Sequence, residues 1–447
     1  MKKIVKKNIL LVALLIWVSI SFGQTQQFEV DGLQVIYKNV PKEIVSARLF
    51  IKGGTANYSL EQSGIEDFAL QLAVTGGTKN KSKLEFTTSL EQMSTTIAAG
   101  TNYDYGQINM RCVKQNWDAS WDLFVDAILN PAFEEQQYAL LKDQLIATAK
   151  QNESDPDQSL IQAAMANVFK GQNYEKNPNG TEQTLDALSL DQLINYYNKV
   201  MGKERSFLVV VGDIDVDDLK KKVAGSLAKL PKGTMPPEES RNMLSEVSNK
   251  INDRDIATNY IAGVMSAPKL TSKDGTAMMI AMSILSERYF LELRTKRSLS
   301  YAPYSYYDNS KITNPYNWIY ISTTDPKQSI QVMVDEISKL KKEGFSEKEL
   351  VNKKQKYLTQ FYMGQETLSS QSQSLGTNEL KGGWEMSEDF TERVNAVTLE
   401  DINRVIDKYS DVISWTYLGK ADMIDEEDFV QPGKVPESVE VDSETKN

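Results

Sequence analysis

Two kinds of hydrophobic pattern interleave along the chain. Short runs rich in β-branched and aromatic residues, at 33–37, 44–51, 207–211, 260–264, 316–322 and 412–418, predict strands, because such side chains suit a half-buried pleated surface. Between them lie longer stretches whose apolar residues recur at helical spacing. Residues 117–129 form one. Residues 136–150 form another, with Leu140, Leu141, Leu145 and Ile146 on one stripe. Strands and helices are therefore mixed throughout, as in an α+β chain. The run Pro231-Lys232-Gly233-Thr234-Met235-Pro236-Pro237 has no period and reads as a linker, taken over 232–244. Residues 431–447, acidic and poor in apolar side chains, read as a disordered tail.

The two sides of the linker resemble one another. Ala187-Leu188-Ser189-Leu190-Asp191 opens a helix leading to the strand that ends Val211-Gly212-Asp213. Ala396-Val397-Thr398-Leu399-Glu400 opens another leading to Leu418-Gly419-Lys420, about 210 residues later. Phe133-Glu134-Glu135 and Phe345-Ser346-Glu347 repeat at nearly the same offset. Ser189 and Thr398 both stand where a helix needs an N-cap. A duplicated domain is expected, with units at 28–231 and 245–430.

Composition removes most catalytic schemes. The 447 residues include no histidine and one cysteine, so no imidazole base, histidine-held metal or internal disulfide can form. A net charge of −11 argues against nucleic acid as a partner. The chain starts with Lys2, Lys3, Lys6 and Lys7, then an apolar run at 9–18, then Ser21 and Gly23. That is the layout of a secretory signal peptide, taken as 1–23. The mature protein is then expected to be exported, periplasmic and soluble, with no membrane span. Cys112, in a strand-like run, reads as a buried structural thiol. The acidic run Asp213-Ile214-Asp215-Val216-Asp217-Asp218 lacks the glycine and closing glutamate of a calcium loop, and reads as a turn and helix start. Lys220-Lys221-Lys222 reads as a solvated helix face.

Several segments together resemble one family. They are Phe50-Ile51-Lys52-Gly53-Gly54-Thr55, Ser63-Gly64-Ile65-Glu66-Asp67-Phe68-Ala69-Leu70-Gln71, Gly76-Gly77-Thr78, Asn130-Pro131-Ala132-Phe133, Gly180-Thr181 and Leu293-Arg294 through Tyr301. Over most of the chain they are similar to the insulinase/pitrilysin zinc peptidases, the inverted zincins. The resemblance implies two homologous domains, each a mostly antiparallel sheet with helices packed on it. It also implies a zinc motif, H-x-x-E-H, which falls here on Asp67, Phe68, Ala69, Leu70 and Gln71. Both histidines and the general-base glutamate are replaced, and 136–151 offers only Asp143 toward a third ligand. No cofactor is expected in this chain. Asp67 and Gln71 read as a polar pair one helical turn apart.

Another family element is retained: Arg294 and Tyr301 match an Arg-Tyr pair that reaches the peptide cleft. An Arg fork suits a peptide carbonyl or carboxylate, and a Tyr hydroxyl can donate to an oxyanion. The plainer reading is a helix-end cap and strand packing. Tyr301, Tyr304, Tyr306 and Tyr307 form an aromatic cluster that reads as strand packing, with lining of a peptide cleft by alternate rings as the alternative. The family includes paired subunits in which only one carries zinc. The resemblance thus implies a non-catalytic subunit of an exported zinc endopeptidase, heterodimeric with an H-x-x-E-H homologue and helping to hold peptide substrate. The alternative is a stand-alone peptide-binding or assembly protein.

Overall fold

The computed structural model describes residues 25–241 and 243–433, so the expected signal peptide and all but the first residues of the expected tail lie outside it. In the first half β1 (Thr25–Val30), β2 (Leu33–Asn39), β3 (Ile44–Lys52), β4 (Thr96–Thr101), β5 (Tyr105–Val113) and β6 (Ser206–Gly212) form one sheet, in the order β1-β2-β6-β3-β5-β4. In the second half β7 (Lys250–Asp253), β8 (Asn259–Ser266), β9 (Tyr304–Asp308), β10 (Tyr316–Thr323) and β11 (Ser414–Gly419) form another, in the order β7-β11-β8-β10-β9. With β1 set aside, the two orders coincide. Each sheet has one parallel pair, β2 with β6 and β7 with β11, at the same place. The duplication read from the sequence is thus a duplication of topology.

The first half carries α1 (Ile65–Thr75), α2 (Lys83–Gln92), α3 (Trp117–Leu129), α4 (Glu135–Ser154), α5 (Pro156–Val168), α6 (Glu182–Ala187), α7 (Leu190–Val200) and α8 (Val216–Gly225). The second carries α9 (Gly275–Tyr289), α10 (Pro326–Glu343), α11 (Glu347–Gly364), α12 (Leu368–Lys381), α13 (Phe390–Ala396) and α14 (Leu399–Tyr409). The expected caps form: the Ser189 hydroxyl accepts from the Gln192 N–H and the Thr398 hydroxyl from the Asp401 N–H, each in a reciprocal capping box. The inner face of each sheet packs on its own helices. Leu49 and Ile51 of β3 meet Phe68 of α1, Phe124 of α3 and Leu193 of α7. Ile319 and Ile321 of β10 meet Leu285 of α9, Ile337 of α10 and Ile402 of α14.

The outer faces are covered by exchange. Helix α5, from the first half, lays Leu160, Ala164 and Met165 on Ala262, Val264, Trp318 and Leu418 of the second sheet. Helix α12, from the second half, lays Leu368 and Leu375 on Ile36, Phe50, Phe207 and Val209 of the first. Each sheet is therefore sealed by a helix belonging to the other half. Asp104 adds a polar knot between them: it accepts from Tyr174 of the first half (2.6 Å) and from the Ile312 and Thr313 N–H groups of the second (2.8 and 3.1 Å). Among the described residues, 231–249 form no helix or strand, yet this stretch is pinned, because buried Arg205 donates to the Thr234 carbonyl (2.7 Å) and hydroxyl (3.0 Å).

Smaller readings are settled by the same contacts. Cys112 is buried, and burial pushes its thiol up to about 11. Asp215 caps α8 by accepting from the Asp217 and Asp218 N–H groups. Lys222 pairs with Asp118 at 2.7 Å. The tyrosine cluster divides: Tyr304 and Tyr306 stand on the outer face of β9, near Tyr320 and Trp318, while Tyr307 turns into the inner core. Tyr301 precedes the strand and is not part of it. No helix among the described residues is long and apolar enough to cross a membrane.

Candidate functional site

Helix α1 starts from a turn that only glycine can make. Gly64 has φ 91°, and a Cβ there would lie 2.8 Å from the Cα of Gly180, itself at φ 78°. The Ser63-Gly64 and Gly180-Thr181 turns are therefore pressed together, which fixes where α1 enters the core.

The three altered motif positions lie on this helix. Asp67 is 4% exposed and Leu70 is fully buried. Gln71 donates through Nε2 to Asp67 Oδ2 at 2.8 Å, and Asn179 donates to the same oxygen at 3.2 Å. The polar pair is present as read from its spacing, but it is roofed over by β4 and the turn holding Asn179. Burial raises the Asp67 carboxyl above the usual range, and these amide donors oppose the rise. Leu70 packs where β5 passes: a Cβ on Gly106 would come within 2.6 Å of Leu70 Cδ1. At the position of the general base there is thus core hydrocarbon.

These donors do not fit zinc. The one carboxylate at the motif positions is occupied by two amide N–H groups. Among the described residues no three Asp, Glu, Cys or His side chains gather closely enough to hold a metal ion.

Glu66, one residue earlier, is the group that sequence reading missed. It is fully buried; Tyr196 donates to it through its hydroxyl, and Asn57 Nδ2 donates to Oε2 at 3.2 Å. Asn57 in turn accepts from Arg205 at 2.8 Å, so a buried relay runs from α1 to the segment between the halves. Burial pushes the Glu66 carboxyl up to about 7, with Tyr196 and Asn57 resisting. The folded protein therefore holds this proton more tightly than the unfolded chain does. The stabilisation is complete below the ordinary glutamate value of 4.5 and is lost as pH rises through about 7. Glu66→Gln, which keeps the shape and cannot ionise, is expected to remove roughly 3 kcal/mol of pH dependence. Urea denaturation at pH 5 and pH 8 checks this; parallel losses in both proteins would refute the assignment.

Arg294 and Tyr301 come together. A π-helical turn, Phe290–Thr295, follows α9, and the Arg294 guanidinium lies 4.3 Å from the centre of the Tyr301 ring and 4.8 Å from that of Phe290. Tyr301 is 78% exposed, so neither strand packing nor a core role explains it. The loop is held from below by Glu292, which accepts from Arg297 at 2.6 Å and pairs with Lys296. Arg294 touches the rings of both Tyr301 and Phe290, whereas Asp67 is bonded to Gln71 and Asn179. Both outermost strands next to these groups, β4 beside α1 and β9 after Tyr301, pair on one side only and leave an open edge.

Fold and site together define a duplicated α+β architecture in which the helix aligned with the zinc motif is packed into the core. Comparison with known proteins agrees. Residues 34–182 match the family profile "Insulinase (Peptidase family M16)" and residues 187–357 match "Peptidase M16 inactive domain". "Non-peptidase homolog YmxG" of Helicobacter pylori is 22% identical over 380 residues, spanning 83% of this chain and 87% of that protein. "Uncharacterized zinc protease YmxG" of Bacillus subtilis is 23% identical over 401 residues, spanning 83% and 92%. Among solved structures, a peptidase M16 inactive domain from Pseudomonas fluorescens has a TM-score of 0.81 at 18% identity, covering 89% of this chain and 98% of that one. The chain belongs to the insulinase (M16) peptidase family, as a member of its inactive type.

Proposed function

We propose that this protein is the non-catalytic subunit of an exported zinc endopeptidase, pairing with a homologue that carries H-x-x-E-H and helping to enclose and hold peptide substrate. The observation that carries this reading is the Arg294–Tyr301 stack. A guanidinium held between two exposed rings is a rigid, ready-made contact, and among the described residues no cluster of metal-binding side chains forms for it to serve. The open edges of β4 and β9 add backbone groups of the kind an extended peptide pairs with. The Lys-rich, apolar start of the chain supports export to the periplasm.

The test is purification of the tagged protein from its native source, with mass spectrometry of what accompanies it. A stoichiometric H-x-x-E-H homologue is the expected companion. The chain alone is expected to hold no stoichiometric zinc and to cleave no peptide. One tightly held zinc per chain, or peptidase activity without a companion, would overturn the proposal.

A further inference from the structure

Where α12 crosses β3, a cavity of about 580 Å³ opens between the first sheet and the α9, α11 and α13 helices. It lies apart from both α1 and the Arg294–Tyr301 stack. Its wall carries three cations, Arg48, Lys381 and Arg393, on a chain whose net charge is −11. Arg393 is paired with Asp389 at 2.7 Å. Arg48 and Lys381 have no ion pair among the described residues. The nearest acids to Lys381 are engaged elsewhere: Asp308 with Lys311 at 3.4 Å, and Asp104 in the knot with Tyr174 and Thr313.

Arg48 is the telling residue. It is 5% exposed, it touches only neutral acceptors, Gln107 at 3.1 Å and the Ser369 hydroxyl at 3.2 Å, and its Nε–H is buried without a partner. A buried guanidinium with no carboxylate is costly, and a chain keeps one where an anion repays the desolvation. Burial lowers Arg48 to about 10 and Lys381 to about 8, with Asp308 and Asp104 opposing the fall at Lys381 and Arg393 adding to it. Around them α12 presents the hydroxyls of Ser370, Ser374 and Thr377. The opposite wall is apolar, formed by Met279 and the stacked rings of Phe361 and Phe390.

We propose that this cavity binds a small ligand bearing an oxyanion, carboxylate or phosphate, with Arg48 supplying the fork and Lys381 the second charge. The size is that of a small-molecule site, and the apolar wall admits a short hydrocarbon portion. Because Arg48 belongs to the first half and Lys381 to the second, the ligand would bridge the two halves of the chain.

Calorimetric titration of the full-length protein with inorganic phosphate and, separately, with succinate tests the site. Saturable one-to-one binding of at least one probe is expected, and the stronger probe tells which oxyanion the site prefers. Arg48→Gln and Lys381→Met are each expected to weaken it by at least about tenfold. Lys221→Met, on the exposed face of α8 and outside the cavity wall, is expected to leave it unchanged. Lys381 sits at the end of α12, so that variant remains informative if Arg48→Gln perturbs folding. Failure of both probes to saturate at millimolar concentration, or binding indifferent to both substitutions, would overturn the assignment.

Discussion

Gly376→Val is expected to destabilise the whole protein by about 3 kcal/mol, near the upper end of overpacking costs. Gly376 lies on the face of α12 that presses the first sheet. A Cβ there would fall 1.9 Å from Phe50 Cε2 and 2.2 Å from Phe50 Cζ. The ring cannot retreat: Phe50 is fully buried, stacked on Phe207 at 5.0 Å and tilted against Tyr105 at 5.6 Å. The better helix propensity of valine over glycine offsets only a few tenths of a kcal/mol. A melting temperature lower by roughly 3–4 °C follows from an unfolding entropy of about 2.1 cal/mol/K per residue when some 400 residues melt together. Because Phe50 and Gly376 come from different halves, both sheets should lose structure in one transition. Phe50→Leu, which vacates the contact, should restore part of the loss in the double variant. A variant that melts like the parent, or unfolds one half while the other persists, would contradict the exchange.

The second large effect concerns catalysis in the proposed complex. Once paired with a zinc-bearing subunit, Tyr301→Phe is expected to slow peptide turnover by roughly a hundred- to a thousandfold if its hydroxyl donates in the transition state, the cost of one such donor being about 2.7–4 kcal/mol. The phenyl ring still stacks on Arg294, so the loop should keep its shape. Arg294→Ala removes the fork and both ring contacts, and is expected to weaken peptide binding as well. Neither side chain belongs to a core, so assembly measured by size should be unaffected. Wild-type cleavage rates in both reconstituted variants would leave the pair as a surface stack without a role in substrate handling.

The fold was legible wherever apolar side chains announced themselves. β3, β6, β8 and β10 are continuous buried runs, and the duplication showed through matched helix starts at Ser189 and Thr398. Edge strands were not legible. β4 is Thr-Ile-Ala-Ala-Gly-Thr and β7 is four residues long, too small or too short to carry a period of two. The spacing within α5 and α12 told which face is apolar, but periodicity cannot say which sheet that face covers. At the site, the resemblance put Asp67 and Gln71 at the motif's ligand positions and Leu70 at that of its general base. Glu66 was not legible, because a carboxylate in the first turn of a helix ordinarily faces water. Its burial is made by Asn57, Gly106 and Tyr196, none of them adjacent in sequence.

The helix exchange also bears on how such a chain can come to exist and diverge. Two like units lending each other the same element is the arrangement of a swapped homodimer, where assembly depends on protein concentration. Here one covalent strand joins the units, so each meets its mate at an effective concentration on the order of millimolar, however dilute the protein. Fusion of that kind releases both units from the need to stay identical. One can keep an aromatic-and-arginine surface while the other trades its reactive side chains for packing. The shared architecture tolerates such changes, because what seals it is the loan of helices and not the side chains at the motif positions.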